Sequence, residues 1–184
     1  MKLQGLNPPV VTIFHKNGEI NYEAMFRHAD YLIEHGVHGL AYLGTSGEFS
    51  VITQKQKKEL IRRMTKYVGD RTQVLMGIGD TCLENTLELA GCAEEAGADG
   101  LLAVIPYFSV YAEKNVEAYY HALAQAVSLP LILYNFPALT GFDLTPGLVE
   151  RLALSEPNIL GIKDTVSDEE HLRDMIKIIW VMKP

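Results

Sequence analysis

One stretch decides the fold, Leu101-Leu102-Ala103-Val104-Ile105, which is apolar at every position. A strand with one solvated face would alternate apolar and polar residues, whereas an uninterrupted apolar run is typical of a strand buried on both faces of a parallel sheet. Runs of this kind begin about every 30 residues along the chain, and each is followed by a helical pattern. The sequence therefore predicts an α/β fold made of repeated βα units.

About six βα units are predicted, in a single domain over residues 1–184 with no linker between them. The strands are expected at 9–14, 39–43, 73–78, 100–105, 130–134 and 158–163, and the helices near 22–35, 53–68, 82–96, 113–127, 146–154 and 168–179. Three helix starts are expected to be capping boxes, in which a hydroxyl and a carboxylate or amide three residues later satisfy free backbone N–H groups. These are Thr53 with Gln56, Thr81 with Glu84, and Ser167 with Glu170.

Two architectures accommodate six such units. A doubly wound dinucleotide-binding sheet should carry a glycine-rich turn after its first strand, but that position reads His15-Lys16-Asn17-Gly18-Glu19, and Gly77-Ile78-Gly79-Asp80 lacks the third glycine. A (β/α)8 TIM barrel typically has about 250 residues, so this chain of 184 would be an incomplete barrel without its C-terminal third. The pattern alone leaves both architectures open.

Composition and charge disfavour several classes of protein. Apolar residues make up 48% of the chain and the formal net charge is −7, which argues against a disordered chain and against a nucleic-acid partner. No apolar run reaches the roughly 18–20 residues of a membrane span, and the N-terminus has no signal-peptide pattern. Ten helical residues would hold Cys82 and Cys92 about 15 Å apart, as free thiols. We therefore expect a cytoplasmic protein with no nucleic-acid or membrane partner.

Lys163 is the first candidate for chemistry. It closes the apolar run 159–162, and strand alternation would place it on the same face as Ile159 and Gly161. An apolar setting favours the neutral, nucleophilic amine over the ammonium. The alternative is a strand-end lysine that reaches solvent or pairs with Asp164.

Two further candidates stand at strand ends, where α/β barrels place their active sites. Tyr134 ends the strand before that of Lys163, and sequential strands usually lie side by side, so the phenol could act as a proton shuttle beside the amine. A buried structural tyrosine fits the pattern equally. The loop Gly44-Thr45-Ser46-Gly47-Glu48 could turn hydroxyls and N–H groups onto a carboxylate, or be an ordinary glycine-rich loop.

Three blocks of sequence together resemble the dihydrodipicolinate synthase / N-acetylneuraminate lyase superfamily. They are Gly44-Thr45-Ser46-Gly47-Glu48, Tyr134-Asn135-Phe136-Pro137-Ala138-Leu139-Thr140-Gly141 and Gly161-Ile162-Lys163-Asp164-Thr165, and the likeness runs through all 184 residues. The resemblance implies a (β/α)8 barrel and a class I, Schiff-base, pyruvate-handling aldolase that needs no metal and no organic cofactor. It also implies a homo-oligomer in the full-length family.

The resemblance gives each candidate residue a role. Lys163 would be the Schiff-base lysine, and Tyr134 would shuttle protons to and from the substrate oxygens. Thr45 and Ser46 would hold the pyruvate carboxylate, while Thr165 would touch the hydroxylated part of the substrate. The iminium on the lysine would withdraw electrons as the C–C bond forms or breaks, which leaves an enamine of pyruvate.

Two positions depart from the family's pattern. Phe108 stands where the family commonly has a tyrosine that joins the proton relay from a neighbouring subunit, so Tyr107 or Tyr111 would have to substitute for it. Leu139 stands where dihydrodipicolinate synthases usually carry an arginine for the second substrate's carboxylate. A leucine at that position resembles the 2-keto-3-deoxygluconate aldolase branch.

The sequence therefore predicts a lyase that reversibly cleaves a 2-keto-3-deoxy sugar acid to pyruvate and an aldehyde. One alternative is a dihydrodipicolinate synthase, which Leu139 disfavours. Another is an inactive, truncated remnant that binds oxo acids or a partner chain. The segment 178–182 is apolar all round, unlike the amphipathic turn before it, which is consistent with a truncated gene or a fragment.

Overall fold

The computed structural model describes residues 3–181, with side chains to residue 178. Its sheet has five parallel strands, β1 (Gly39–Tyr42), β2 (Gln73–Gly77), β3 (Gly100–Val104), β4 (Leu131–Asn135) and β5 (Ile159–Asp164). They pair in the order β1-β2-β3-β4-β5. A doubly wound sheet would reverse its strand order at a switch point. The sequential order of the described strands is instead that of a barrel arc, which decides between the two architectures.

Seven α-helices lie in the described part of the chain. They are α1 (Tyr22–Glu34), α2 (Gln54–Val68), α3 (Leu83–Ala96), α4 (Glu113–Ala126), α5 (Pro137–Thr140), α6 (Pro146–Ser155) and α7 (Glu169–Val181). Six of them match the predicted helices to within two residues at each end. The single-turn helix α5 was not predicted, because four residues are too few to show a helical period.

The predicted first strand at 9–14 is wrong, so the described sheet has five strands rather than six. In this segment only Pro9 bridges to β1, opposite Ala41. The Val10 N–H donates to the Ala41 carbonyl at 2.9 Å. The Ala41 N–H in turn donates to the Pro8 carbonyl at 3.1 Å. Pro8 and Pro9 have no N–H group and can only accept hydrogen bonds from β1, and the segment forms an isolated bridge rather than a strand.

Helix capping was predicted with mixed success. The Thr53 capping box at the start of α2 is confirmed, with both reciprocal hydrogen bonds present. The boxes expected at Thr81 and Ser167 are wrong. At each helix start an adjacent aspartate accepts a backbone N–H group. Asp80 accepts that of Cys82 just before α3, and Asp168 accepts that of His171 in the first turn of α7. A carboxylate is an equally good acceptor for a free N–H, and both lie one residue from the predicted hydroxyl.

Both faces of the sheet are buried, as the uninterrupted apolar runs predicted. On the face that carries Tyr134, side chains from β2 to β4 are 3–9% exposed: Leu75, Leu102, Val104 and Tyr134 itself. On the opposite face they are fully buried: Leu40, Met76, Leu101 and Leu133. The face that carries Tyr134 is therefore the slightly more open of the two.

The pairing of β5 with β4 shifts by one residue near its start. Ile159 and Gly161 occupy successive pairing positions opposite β4, which leaves Leu160 without a partner. Further along, Lys163 pairs with Tyr134. Such a bulge turns the residues before it to the other face. The prediction that Lys163 shares a face with both Ile159 and Gly161 is therefore correct only for Gly161.

Three remaining sequence expectations concern the cysteines, membrane-spanning helices and the apolar segment 178–182. Cys82 and Cys92 are both free thiols, the first exposed and the second buried. No helix in residues 3–181 combines the length and the apolar character that crossing a membrane requires. The side chains of the apolar segment 178–182 lie outside the described residues from 179 onward.

Candidate active site

Lys163 and Tyr134 are partners at the C-terminal ends of β5 and β4. The Lys163 Nζ lies 3.6 Å from the centre of the Tyr134 ring. Tyr134 is only 3% exposed, and Lys163 is half-buried. Cation–π attraction holds an ammonium over a ring face, so the ring fixes where the amine stands. Asp164, the alternative partner of the lysine, is instead hydrogen-bonded to Asn135.

Thr45 extends this pair into a row of three functional groups. Its Oγ1 lies 3.0 Å from the Tyr134 hydroxyl, so a hydroxyl, a phenol and an amine follow one another. The loop reaches across the strand ends because its backbone bends sharply. Leu43 and Glu48, on either side of the short 3-10 turn Thr45–Gly47, have φ values of 55° and 58°. Non-glycine residues rarely adopt this left-handed region.

Ser46 and Thr165 are not joined to this row. Ser46 is exposed and makes no side-chain hydrogen bond within residues 3–178. Thr165 is exposed too, and its Oγ1 donates to the Asn135 carbonyl at 2.9 Å. Because that hydrogen bond uses the only hydroxyl proton, Thr165 can offer a substrate only a lone pair.

A cavity of about 200 Å³ lies beside Tyr134. Five of its lining residues carry hydroxyls and four are apolar: Thr45, Ser50, Tyr107, Tyr134, Thr140, Phe49, Val104, Phe136 and Leu139. Sequence reasoning missed Phe49, Ser50, Val104, Phe136 and Thr140 as site residues. A signal existed for Val104, which pairs with Tyr134 across adjacent strands and so shares its face.

Phe108 and its possible substitutes in the expected proton relay, Tyr107 and Tyr111, have different environments. Tyr107 lines the cavity, and its ring meets that of Phe49 edge-on at 5.7 Å. Burial raises the pKa of Tyr107, and the Asp80 carboxylate raises it further, so the phenol stays protonated at neutral pH. Phe108 is 98% exposed, with φ at 79°. Tyr111 packs against the core and is not part of the cavity lining.

A buried ion pair supports the wall of the cavity from behind. The Lys57 Nζ donates to Asp80 Oδ2 and to the Gly79 carbonyl, each at 3.1 Å, and lies 5.7 Å from the centre of the Phe49 ring. A Cβ on Gly79 would come within 2.7 Å of that ring. This glycine is therefore required by close packing and not by a phosphate. No sequence signal marked Lys57, which stands among other lysines in α2.

This chain is similar in sequence to a known protein family and to two proteins of Escherichia coli. The model of the dihydrodipicolinate synthetase family matches residues 2–182. YjhH of Escherichia coli (strain K12) is 45% identical over all of this chain and 61% of its own length. YagE of the same organism is 45% identical over 95% of the chain and 58% of its own length. Their provisional names are 2-dehydro-3-deoxy-D-pentonate aldolase and 2-dehydro-3-deoxy-D-gluconate aldolase.

The solved structures agree with the sequence comparison. The crystal structure of YagE in complex with pyruvate superposes with a TM-score of 0.93 at 44% identity, over 95% of this chain and 59% of YagE. A more distant relative, the 4-hydroxy-tetrahydrodipicolinate synthase of Methanocaldococcus jannaschii, is 31% identical over 94% of the chain and 60% of its own length. The chain thus spans about three fifths of the relatives it matches. It belongs to the dihydrodipicolinate synthetase family.

Proposed function

We propose that this chain carries the Schiff-base site of a class I aldolase, with Lys163 as the nucleophile. The observation that supports it is the row of groups in which Nζ lies 3.6 Å from the Tyr134 ring and the Tyr134 hydroxyl lies 3.0 Å from Thr45 Oγ1. The neutral amine attacks the ketone carbon of pyruvate, and the phenol supplies a proton to the carbonyl oxygen. Loss of that oxygen as water leaves the iminium.

The same groups serve the C–C bond step. In the cleavage direction Tyr134 accepts the proton of the substrate's C4 hydroxyl as the C3–C4 bond breaks. The bonding electrons pass to the iminium, which becomes the enamine of pyruvate, and the aldehyde leaves. Protonation of the enamine and hydrolysis then release pyruvate and regenerate the amine. Thr45 and Ser46 hold the carboxylate, and no metal or organic cofactor takes part.

The proposed substrate is a 2-keto-3-deoxy sugar acid. The hydroxyls of Ser50 and Tyr107 in the cavity lining suit a polyhydroxylated chain, and the lone pair of Thr165 can accept from a substrate hydroxyl. Tyr107 takes the relay position that Phe108 cannot fill, since it lines the cavity of its own chain. The provisional names of YjhH and YagE and the pyruvate complex of YagE support this choice.

A dihydrodipicolinate synthase is the second candidate function, favoured by the 31% identity to the Methanocaldococcus enzyme. Leu139 argues against it, because a leucine at the cavity cannot bind a second carboxylate. The third candidate is a non-catalytic module that binds oxo acids or a partner chain, in which Lys163 would not react.

Borohydride trapping tests the proposal. The chain is incubated with pyruvate and sodium borohydride, and the adduct is located by mass spectrometry. We expect a single labelled site at Lys163 and none in Lys163→Arg, which keeps the positive charge over the Tyr134 ring but forms no Schiff base. Labelling at another lysine, or undiminished labelling in the variant, contradicts the assignment. An unlabelled parent chain favours the non-catalytic module.

Location and assembly are part of the same proposal. The free thiols Cys82 and Cys92 suit a reducing, cytoplasmic setting. The neighbouring side chains of Phe108 and Val110 are 98% and 95% exposed, which suits an interface in a homo-oligomer. Light scattering on the purified chain measures the oligomeric state, and a monomer would contradict this part.

A further inference from the structure

A ring of four polar side chains lies on the face of the sheet opposite to the candidate active site. Asn135 and Asp164 are the strand partners immediately after Tyr134 and Lys163. The Asn135 Nδ2 donates to Asp164 Oδ1 at 3.1 Å and to Asp143 Oδ1 at 2.7 Å. His171 of α7 closes the ring.

His171 lies between the two carboxylates of the ring. Its Nε2 lies 2.7 Å from Asp164 Oδ2, and its Nδ1 lies 3.6 Å from Asp143 Oδ2. Because an ionised carboxylate only accepts, Nε2 carries the proton that is donated to Asp164. The Asn135 Oδ1 in turn accepts the Leu144 N–H at 3.0 Å.

Three of the four side chains of the ring are shielded from water, while that of Asp143 is 43% exposed. The side chains of Asp164 and His171 are 8% and 9% exposed, and Asn135 is 1% exposed. Within the described residues no group of His, Cys, Asp and Glu side chains is arranged to hold a metal ion. Asn135 donates to both carboxylates and His171 donates to Asp164, so the ring is a structural device that ties four segments together.

The ring includes the end of β5, through Asp164. Among the described strands β5 is the last in the sheet, and β4 pairs with one of its edges only. Leu160 is 36% exposed, and the residues from Gly161 to Lys163 are only half-buried. Asp164 accepts three hydrogen bonds, from Asn135 Nδ2, the Val166 N–H and His171 Nε2. The bond from His171, at 2.7 Å, is the shortest of the three, and it holds the residue directly after Lys163 from α7.

We propose that His171 is a positioning residue for Lys163. It holds Asp164 from α7, which fixes the strand backbone and keeps the amine over the Tyr134 ring. This inference rests on the proposed function, in which the amine forms an imine with pyruvate. A displacement of about 1 Å at a reacting atom can slow a reaction by up to about 10²-fold, so a residue that never touches the substrate can control the rate.

The test compares His171→Ala and His171→Gln with a matched control, His121→Ala. The His121 Nδ1 lies 2.7 Å from Glu156 Oε1, so the control removes an imidazole–carboxylate contact of the same length outside the ring. Each variant of the full chain is trapped with saturating pyruvate and borohydride. Both the rate constant and the final extent of labelling at Lys163 are measured.

We expect His171→Ala to lower the rate constant about tenfold with an unchanged final extent. His171→Gln keeps one N–H donor for Asp164 and should return to within about threefold of the parent, while His121→Ala stays within about twofold. A parental rate constant in His171→Ala overturns the inference. So does a lower final extent at the parental rate constant, because that result means loss of folded protein and not displacement of the amine.

Failure of the proposed function gives a different result, namely a parent chain that is not labelled at all. Hydrogen exchange at the amides of residues 163–166 then decides the inference, since it needs no imine. Faster exchange in His171→Ala than in His121→Ala supports the positioning of the strand end by His171. Equal protection in the two variants overturns it.

Discussion

Tyr134 has two roles at the scale of the single residue, and one substitution separates them. Tyr134→Phe keeps the ring under the Lys163 amine but removes the hydroxyl that meets Thr45. We expect release of pyruvate from 2-keto-3-deoxygluconate to slow by about 10²–10⁴ with the fold retained. Tyr67→Phe is the control, because it removes a hydroxyl that donates to Asp30 Oδ2 at 2.7 Å, and Tyr67 does not line the cavity.

The control should lose about 1 kcal/mol in its free energy of unfolding and keep its turnover. Steady-state assays of both variants, with urea unfolding alongside, make the comparison. Parental turnover in Tyr134→Phe would remove the tyrosine from the proposed proton relay.

Under the proposed function, the choice of aldehyde depends on Leu139. It is 59% exposed at the cavity. Leu139→Arg should move the preference of the pyruvate enamine from glyceraldehyde toward aspartate semialdehyde, because a guanidinium binds the second carboxylate at two points. The two aldehydes are compared at equal concentration. Leu154→Arg adds the same charge at a leucine that is 72% exposed on α6, and it should leave the ratio unchanged.

If the parent chain itself prefers aspartate semialdehyde over glyceraldehyde, the proposed substrate class is wrong. A shift of equal size in Leu154→Arg would show that overall charge, and not the position of Leu139, changes the ratio.

At the scale of the element, the buried pair of Lys57 and Asp80 links α2 to the loop after β2. Burial alone would raise the pKa of Asp80. Hydrogen bonds from Asn85, from the Cys82 N–H and from Lys57 outweigh it, so the pKa lies below its ordinary value of 3.8. The unfolded chain therefore binds this proton more readily. Ionised Asp80 therefore stabilises the fold fully at pH values above its pKa in the unfolded chain. This stabilisation is lost as the pH falls through the lower pKa of the folded state.

Asp80→Asn should accordingly destabilise the fold most at neutral pH, and the difference from the parent should narrow toward about pH 3. Urea unfolding across this range measures the difference. Asp70→Asn is the control, because it removes an exposed carboxylate and changes the net charge by the same amount. Its free energy of unfolding should differ little from that of the parent. A pH-independent deficit in Asp80→Asn would show that packing, and not the ionised pair, stabilises this junction.

At the scale of the whole molecule, the described sheet has a strand edge at β5. An edge with unpaired backbone groups and apolar side chains favours association with another chain. Leu160, bulged and 36% exposed, lies on this strand. Leu160→Lys should reduce self-association, because a charge on an edge strand opposes edge-to-edge pairing. Light scattering over a range of concentrations measures it, and Leu154→Lys on α6 should have no such effect.

An equal loss of association in both lysine variants would show that charge repulsion acts on the whole surface. If Leu160→Lys has the same associated mass as the parent, the contact between chains lies elsewhere, for example at Phe108.

Local patterns in the sequence determined most of the elements and the family. Apolar runs predicted all five strands between residues 39 and 164, and the helical period placed six helices to within two residues. These features depend on the solvent exposure of successive residues, which is a local property. The three motif blocks likewise placed Lys163, Tyr134 and Thr45 at strand ends, and the structure has them in contact.

Only the tertiary structure decided the features that depend on contacts between distant residues. The strand order excluded a doubly wound sheet, and the segment 9–14 made an isolated bridge to β1 in place of a sixth strand. The pairs Lys57–Asp80 and His171–Asp164 each join one element to another. Which residues meet in such a polar pair depends on how the helices pack against the sheet. The hydrophobic periodicity of the sequence carries no information about that packing. For this reason the sequence located Lys163, Tyr134 and Thr45 but not the polar pairs that surround them.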